Sequence, residues 1–414
     1  MELRQQADMI MAAALKAAMP DRAVKKALAE MSREEGKLIL IAPGKAGWQM
    51  AKAAHEVLGD RIHHGVVITK YGHSRGSIGN LRIFEAGHPV PDKNSFLATE
   101  AAIEAVRDLQ PEDRVLLLLS GGGSALFEKP LILQADLERV TRELLKSGAE
   151  IREINTIRKR FTAVNGGRYA ELCAPAQIET IVLSDVLGDR LDLIASGPAC
   201  EDLTTCQEAL EIAEKYQLSC TEEMMALLRK ETPKSLPRVK NHIAGSVRQL
   251  CLAAEAACRE LGYETMILTD QLSCTAREAG AFLGNLAAYQ STRHRKLAFL
   301  LGGETVVRVT GSGMGGRNQE LVLAAAEGLR GLNACLFSIG SDGTDGPTDA
   351  AGGYVDGNTA AVLGSQNISI PQVLQNNDAY HALKACGGLI FTGPTGTNVN
   401  DLTVLLIEQP KVKG

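Results

Sequence analysis

Five times along this chain, a short and continuously apolar run breaks into a glycine-rich or small polar loop and then into an amphipathic stretch. No other feature constrains the fold as much. Apolar runs of strand length are strands buried on both faces, and alternation with helical patterns implies a mostly parallel sheet covered by helices. The runs read as strands are 37–42, 65–69, 82–85, 114–119 and 179–183, followed by 241–244, 264–268, 297–301, 305–309, 335–339, 389–392 and 402–407. At 414 residues, 45% of them apolar, the chain is expected to form two domains with sizeable cores. Two prolines, Pro233 and Pro237, mark the boundary and give domains of 1–235 and 236–414. The expected class is α/β, with two α/β domains.

Composition removes several functions. A net charge of −5 argues against nucleic-acid and membrane partners, and 4% aromatic residues leave few platforms for stacked bases. Nine cysteines without a C-x-x-C pair read as free thiols in a reducing, cytoplasmic setting. No apolar run approaches the ~20 residues that span a bilayer. An oligomer is compatible with the sequence.

The most informative loop lies between 309 and 321. Four glycines fall among the six residues from Gly311 to Gly316, and Arg317-Asn318-Gln319-Glu320 opens a helix carrying Leu321, Val322, Leu323 and Leu329. Unpaired N–H groups and the dipole at a helix N-terminus favour an anion. An arginine in that first turn is electrostatically misplaced unless an anion is present. Gly313, Gly315, Gly316, Arg317 and Asn318 are therefore candidates for phosphate or carboxylate binding. A nearby loop holds Asp342, Asp345 and Asp349, suited to a divalent cation or a general base. Gly311, Gly313 and Gly316 also spell the G-x-G-x-x-G dinucleotide fingerprint. Arg317 abuts its last glycine, and Asp342 comes later than the ribose-binding position, so a nicotinamide enzyme stays the alternative.

Four further loops repeat the pattern. Pro43-Gly44-Lys45-Ala46-Gly47 lacks Walker A spacing but places Lys45 at the start of a helix, either as a solvated lysine or against a substrate anion. Ser120-Gly121-Gly122-Gly123-Ser124 is not a G-x-S-x-G elbow, because Leu126 stands where its last glycine belongs; it offers backbone N–H groups and two hydroxyls, or serves structure alone. Asp185, after the run at 179–183, is either a helix N-cap or a carboxylate in the ligand crevice, where it can accept a hydroxyl proton or bind magnesium. Thr395, Gly396, Thr397 and Asn398 form a second polyphosphate cradle or a plain turn.

Taken in order, these motifs resemble the class II glycerate kinases, the glycerate 2-kinase family whose C-terminal half is called the MOFRL domain. The resemblance runs nearly end to end. Among its stretches are Gly87-His88-Pro89-Val90-Pro91-Asp92, Ser120-Gly121-Gly122-Gly123-Ser124-Ala125, Ala195-Ser196-Gly197-Pro198, Gly315-Gly316-Arg317-Asn318-Gln319-Glu320, Ser341-Asp342-Gly343-Thr344-Asp345-Gly346-Pro347 and Thr392-Gly393-Pro394-Thr395-Gly396-Thr397-Asn398-Val399. It implies phosphorylation of D-glycerate to 2-phosphoglycerate by ATP with a divalent cation. It also implies two α/β domains flanking a cleft, the N-terminal one Rossmann-like, and central cations at Lys45 and Arg317. The chain departs from the family where relatives carry a lysine before Gly-Gly-Arg: here Asn165 precedes Gly166-Gly167-Arg168, and Lys159 or Arg160 would have to replace that lysine.

Under this reading Arg317 grips the glycerate carboxylate bidentately, with Ser120–Ser124 backbone groups as co-donors. Lys45 stabilises the transferring phosphoryl group, and Asp185 orients or deprotonates the attacking hydroxyl. Magnesium needs only one or two carboxylates beside nucleotide phosphates, so Asp189, Glu304 and Asp342 are its candidate ligands.

Overall fold

The computed structural model describes residues 1–31, 36–293 and 295–408. The chain divides into two compact units, Ala23–Ala244 and a second one combining Met1–Arg22 with Gly245–Gly414. This corrects the expected boundary at 235/236 in two ways. The strand that follows Pro237 completes the first unit's sheet instead of opening the second. The N-terminal helix Leu3–Ala17 buries Ala7, Ile10, Met11 and Ala14 in one core with Leu250, Cys251 and Ala254. Its apolar face matches the second unit, so the first residues of the chain fold with the last.

The first unit holds six strands: β1 (Leu38–Pro43), β2 (Ile62–Lys70), β3 (Leu81–Ala86), β4 (Arg114–Leu119), β5 (Gln177–Leu183) and β6 (Val239–Gly245). Their order is β3-β2-β1-β4-β5-β6, and β1–β2, β1–β4, β2–β3 and β4–β5 pair in parallel. Alternate residues serve opposite faces. Ile39, Ile41, Leu117 and Leu119 enter one core, while Leu40, Ala42, Leu116 and Leu118 enter the other. Each such fully buried Leu or Ile contributes roughly 1.5–3 kcal/mol. The order is that of a dinucleotide-fold sheet, whose ligand crevice lies where the order reverses, between β1 and β4.

The second unit holds β7 (Glu264–Leu272), β8 (Leu297–Gly303), β9 (Ala334–Gly340), β10 (Gly352–Asp356), β11 (Leu389–Ile390) and β12 (Asp401–Ile407), in the order β11-β10-β9-β12-β8-β7. Only β7–β8 is parallel; the other four pairings are antiparallel. A mostly parallel arrangement therefore does not hold here. Helices cover both faces, so strands are apolar throughout whichever way they run: Leu402, Val404 and Leu406 face one core, Leu405 and Ile407 the other. The run at 305–309 is not a strand; of it only Val306 forms an isolated bridge, to Thr275. Among the described residues no helix is long and apolar enough to cross a membrane. All nine cysteines are free.

Candidate active site

In the first unit, the loops after β1 and β4 lie side by side at the point where the strand order reverses. Lys45 N donates to Gly121 O at 2.9 Å, and Ser120 N to Pro43 O at 3.3 Å. The Ser120 hydroxyl accepts from Ala46 N at 3.1 Å, so it ties the loops together. Thr69 Oγ1 and His73 Nδ1 each lie 3.2 Å from Lys45 O. Lys45 precedes the Ala46 N-cap of helix Gly47–Leu58 and is not in its first turn. Among the described residues its ammonium group forms no ion pair.

Two glycines let side chains come close to this loop. A Cβ on Gly121 would sit 2.2 Å from Asp185 Oδ2, so the carboxylate lies directly against the backbone there. Gly122 has φ +84, a conformation suited to glycine, and a Cβ on it would meet His88 Nε2 and Lys45 Cγ, each at 3.1 Å. The loop thus gathers Lys45, His88 and Asp185 within a few ångströms. Residues 186–193 are not helical, so Asp185 is not an N-cap. Ser196 Oγ donates to Ser124 Oγ at 3.1 Å, and Ala195 and Ser196 hold φ values of +49 and +59. Such non-glycine backbone costs about 1–3 kcal/mol per residue and clusters at functional sites. Burial, with Lys45, Lys70 and His73 nearby, holds the His88 imidazole below its usual pKa and therefore neutral near pH 7.

The second unit corrects the expectation for the Gly311–Gly316 loop. Four of its six N–H groups are already used: Gly311 N donates to Asn377 Oδ1, Ser312 N to Asn376 Oδ1, Gly313 N to Asn376 O and Met314 N to Asp378 Oδ1. Asp345, only 2% exposed, accepts from the N–H groups of Asn318 and Gln319 at 3.1 and 2.9 Å and from Asn318 Nδ2. It supplies the anion that the helix terminus calls for, and burial raises its pKa to about 6. Asn318 also accepts from Ser338 Oγ, so it is committed inside the fold. Neither Gly313 nor Asn318 forms part of an open cradle, and the dinucleotide fingerprint does not assemble.

Arg317 does begin the helix Arg317–Leu329, but its fork is occupied. Nε and Nη2 lie 2.6 and 3.0 Å from the two carboxylate oxygens of Asp401, and Nη1 lies 2.7 Å from Glu304. These partners, Asp401 first, hold its guanidinium above its ordinary pKa against the opposing effect of burial. Bidentate capture of a substrate carboxylate is therefore not what this geometry offers. The acidic loop disperses as well. Asp342 accepts from Thr344 N and Oγ1, and Asp349 from Tyr380 Oη. Thr395 donates to Ser341 O, Thr397 to Ala18 O, and Asn398 Oδ1 accepts from Asn400 N; Gly396 is exposed.

Among the described residues no three His, Cys, Asp or Glu side chains converge as a metal site. Of the three carboxylates named for magnesium, Glu304 is held by Arg317 and Asp342 by its own turn. Asp189 differs: its Oδ1 is buried and has no hydrogen-bond partner, four residues after Asp185. Of the two proposed substitutes for the family lysine, Arg160 is fully buried on Thr156 O and Thr204. Lys159 donates to Asp202 at 3.2 Å and lines a cavity of about 330 Å³. Asn165 is fully buried, with neither amide atom bonded. His88, Lys70 and His73 lie near Lys45, and Asp401 binds Arg317, yet none of the four is among the sequence candidates; the Gly-His-Pro-Val-Pro-Asp stretch after β3 is the available signal for the first.

Comparisons with known proteins agree along the whole chain. The domain of unknown function DUF4147 matches residues 6–229, and the MOFRL family matches 297–401. D-glycerate 2-kinase of Thermotoga maritima is 50% identical over 412 residues, covering 98% of both chains. Glycerate 2-kinase of Pyrococcus horikoshii is 38% identical over 434 residues, again covering 98% of both. The solved structure of glycerate kinase from Thermotoga maritima superposes with a TM-score of 0.95 at 50% identity, covering 98% of this chain and 99% of that one. With its N-terminal half matching DUF4147 and its C-terminal part matching MOFRL, the chain belongs to the glycerate 2-kinase family.

Proposed function

We propose that this chain transfers the terminal phosphoryl group of ATP to the 2-hydroxyl of D-glycerate, giving 2-phosphoglycerate and ADP. One observation carries the reading: Lys45 and Asp185 meet over a single glycine loop at the reversal point of a parallel sheet. Phosphoryl transfer needs positioned charge more than covalent help. The glycerate oxygen attacks the terminal phosphorus, the bond to the bridging oxygen breaks, and ADP leaves with its electrons. Asp185 accepts the hydroxyl proton as that bond forms. Lys45 faces the charge that spreads over the transferring oxygens. The Ser124 hydroxyl, bonded to that of Ser196 from the turn Ile194–Ser196, positions the substrate. Arg317 acts as a positioning residue that fixes Glu304 and Asp401.

Asp189 fits magnesium by its unpartnered buried oxygen, with Asp185 nearby in sequence. A bound magnesium would neutralise phosphate charge. A cytoplasmic setting suits ATP as co-substrate and nine unpaired thiols.

The test is ADP release with D-glycerate and Mg-ATP, followed by phosphorus NMR of the product. Phosphate on C2 is expected. Phosphate on C3 would overturn the position and keep the kinase. Oxidation of NADPH by hydroxypyruvate without ATP turnover would overturn both.

A further inference from the structure

Arg317 and Lys45 stand in opposite surroundings. In the second unit, Arg317 is matched by two carboxylates. In the first, Lys45 follows β1, Lys70 ends β2, His73 lies in the turn after it, and His88 follows β3. These four belong to adjacent strands at one sheet end. Among the described residues none of them forms an ion pair. The neighbouring acids are committed elsewhere. Asp92 accepts from Tyr71 Oη and caps helix Lys93–Glu104 through Ser95 N, and Glu85 accepts from Ser74 N. Asp185 is the carboxylate gathered by the loop itself, against Gly121.

Lysines grouped at one sheet end without ion pairs of their own cost free energy in the absence of ligand. The geometry around Gly122 shows where the compensating charge belongs. His88 Nε2 and Lys45 Cγ approach the same bare backbone point, each 3.1 Å from where a Cβ would stand. His73 Nδ1 lies 3.2 Å from Lys45 O, which ties its imidazole to the same loop. Two lysines with two imidazoles beside them to hydrogen-bond offer more than one carboxylate can match. They suit a chain of phosphates, for which lysine serves as a point charge.

We propose that Lys45, Lys70, His73 and His88 together seat the polyphosphate chain of the nucleotide, with Lys45 and His88 meeting its terminal phosphoryl group over Gly122. The assignment rests on the kinase reading and adds three residues to it. It also implies that glycerate enters from the Asp185 side of the loop, so that acceptor oxygen and phosphorus meet across Gly121 and Gly122.

Calorimetry with the imido analogue of ATP and magnesium, and separately with inorganic tripolyphosphate, tests it on the intact protein. Lys70→Met and His88→Gln should each weaken both probes roughly tenfold to a hundredfold, as expected for lost charge-assisted contacts. The KM for D-glycerate should move by less than about twofold, because the cluster is not its seat. Lys70→Arg should restore most of the affinity, which separates lost charge from a damaged fold. Unchanged affinity in both variants, a loss that falls on glycerate instead, or failure of Lys70→Arg to rescue would overturn the proposal. Absence of glycerate phosphorylation by the wild-type protein would overturn the kinase reading alone, since tripolyphosphate binding reports on the cluster independently.

Discussion

Arg317 and Asp401, 84 residues apart in sequence, form a two-legged ion pair, with Nε and Nη2 at 2.6 and 3.0 Å from the two carboxylate oxygens. The Asp401 side chain is 7% exposed and that of Arg317 is 34% exposed. Removing the arginine strands a nearly buried carboxylate beside Glu304 and Asp345. Arg317→Ala should destabilise the protein by about 2–3 kcal/mol, less than for a fully buried pair. Arg317→Lys should recover part of that, since a point charge satisfies one leg only. Urea unfolding decides the matter. Unchanged stability with abolished turnover would mean that the guanidinium leaves Asp401 to hold substrate.

Lys45→Met keeps the stem that reaches Gly122 and removes the charge. We expect kcat to fall by about 10²–10³, as for loss of a group aimed at developing charge. Binding of ATP should suffer much less than kcat. Steady-state kinetics with both substrates varied makes the comparison. A loss confined to KM would assign Lys45 to ground-state binding.

Gly121 and Asp185 provide a steric test. Asp185→Asn should lower kcat by ~10²–10⁴ if the carboxylate takes the proton. Gly121→Ala should reproduce much of that loss, because the new Cβ would stand 2.2 Å from the present Asp185 Oδ2 position. In an Asp185→Ala background the same glycine change should cost little more, since the obstructed group is gone. Full additivity would place the harm of Gly121→Ala elsewhere in the loop.

Asp345 predicts a pH signature. Burial raises its pKa from 3.8 to about 6, so the folded state binds a proton more readily than the unfolded chain. Its contribution to stability is therefore greatest below pH 3.8, declines as pH rises, and is lost above about 6. Asp345→Asn keeps an oxygen for the Asn318 and Gln319 N–H groups and removes the titration. The stability difference between wild type and variant should change between pH 4 and 6 and then stay constant. A flat difference across that range would show that Asp345 titrates normally.

The first unit was largely legible in the sequence. Its glycine loops sit at strand ends because a parallel sheet puts every strand's carboxyl end on one side, so a pattern along the chain becomes a cluster in space. The second unit was less so. Antiparallel strands covered on both faces carry the same apolar runs, and β10 looked like loop because it opens with Gly352 and Gly353. The occupants of the glycine-rich loop, Asn376, Asn377 and Asp378, lie more than sixty residues away. The need of Arg317 for an anion is legible locally, and the anions beside it in the fold are Asp401 and Glu304. Local sequence shows that a charge needs a partner; it does not show that the partner is Asp401.

The second unit also dictates when this protein can finish folding. Its sheet places β12 between β8 and β9, although β12 is the last strand made. Its opening helix, Leu3–Ala17, waits for partners around Leu250 and for Thr397, whose hydroxyl donates to Ala18 O. During synthesis the Ala23–Ala244 unit can close as soon as β6 leaves the ribosome. The N-terminal helix and strands β7 to β11 remain without their central strand until β12 has left the ribosome. That interval, with apolar surface unpaired, is when a chaperone would be most useful and when a stalled or shortened chain would aggregate.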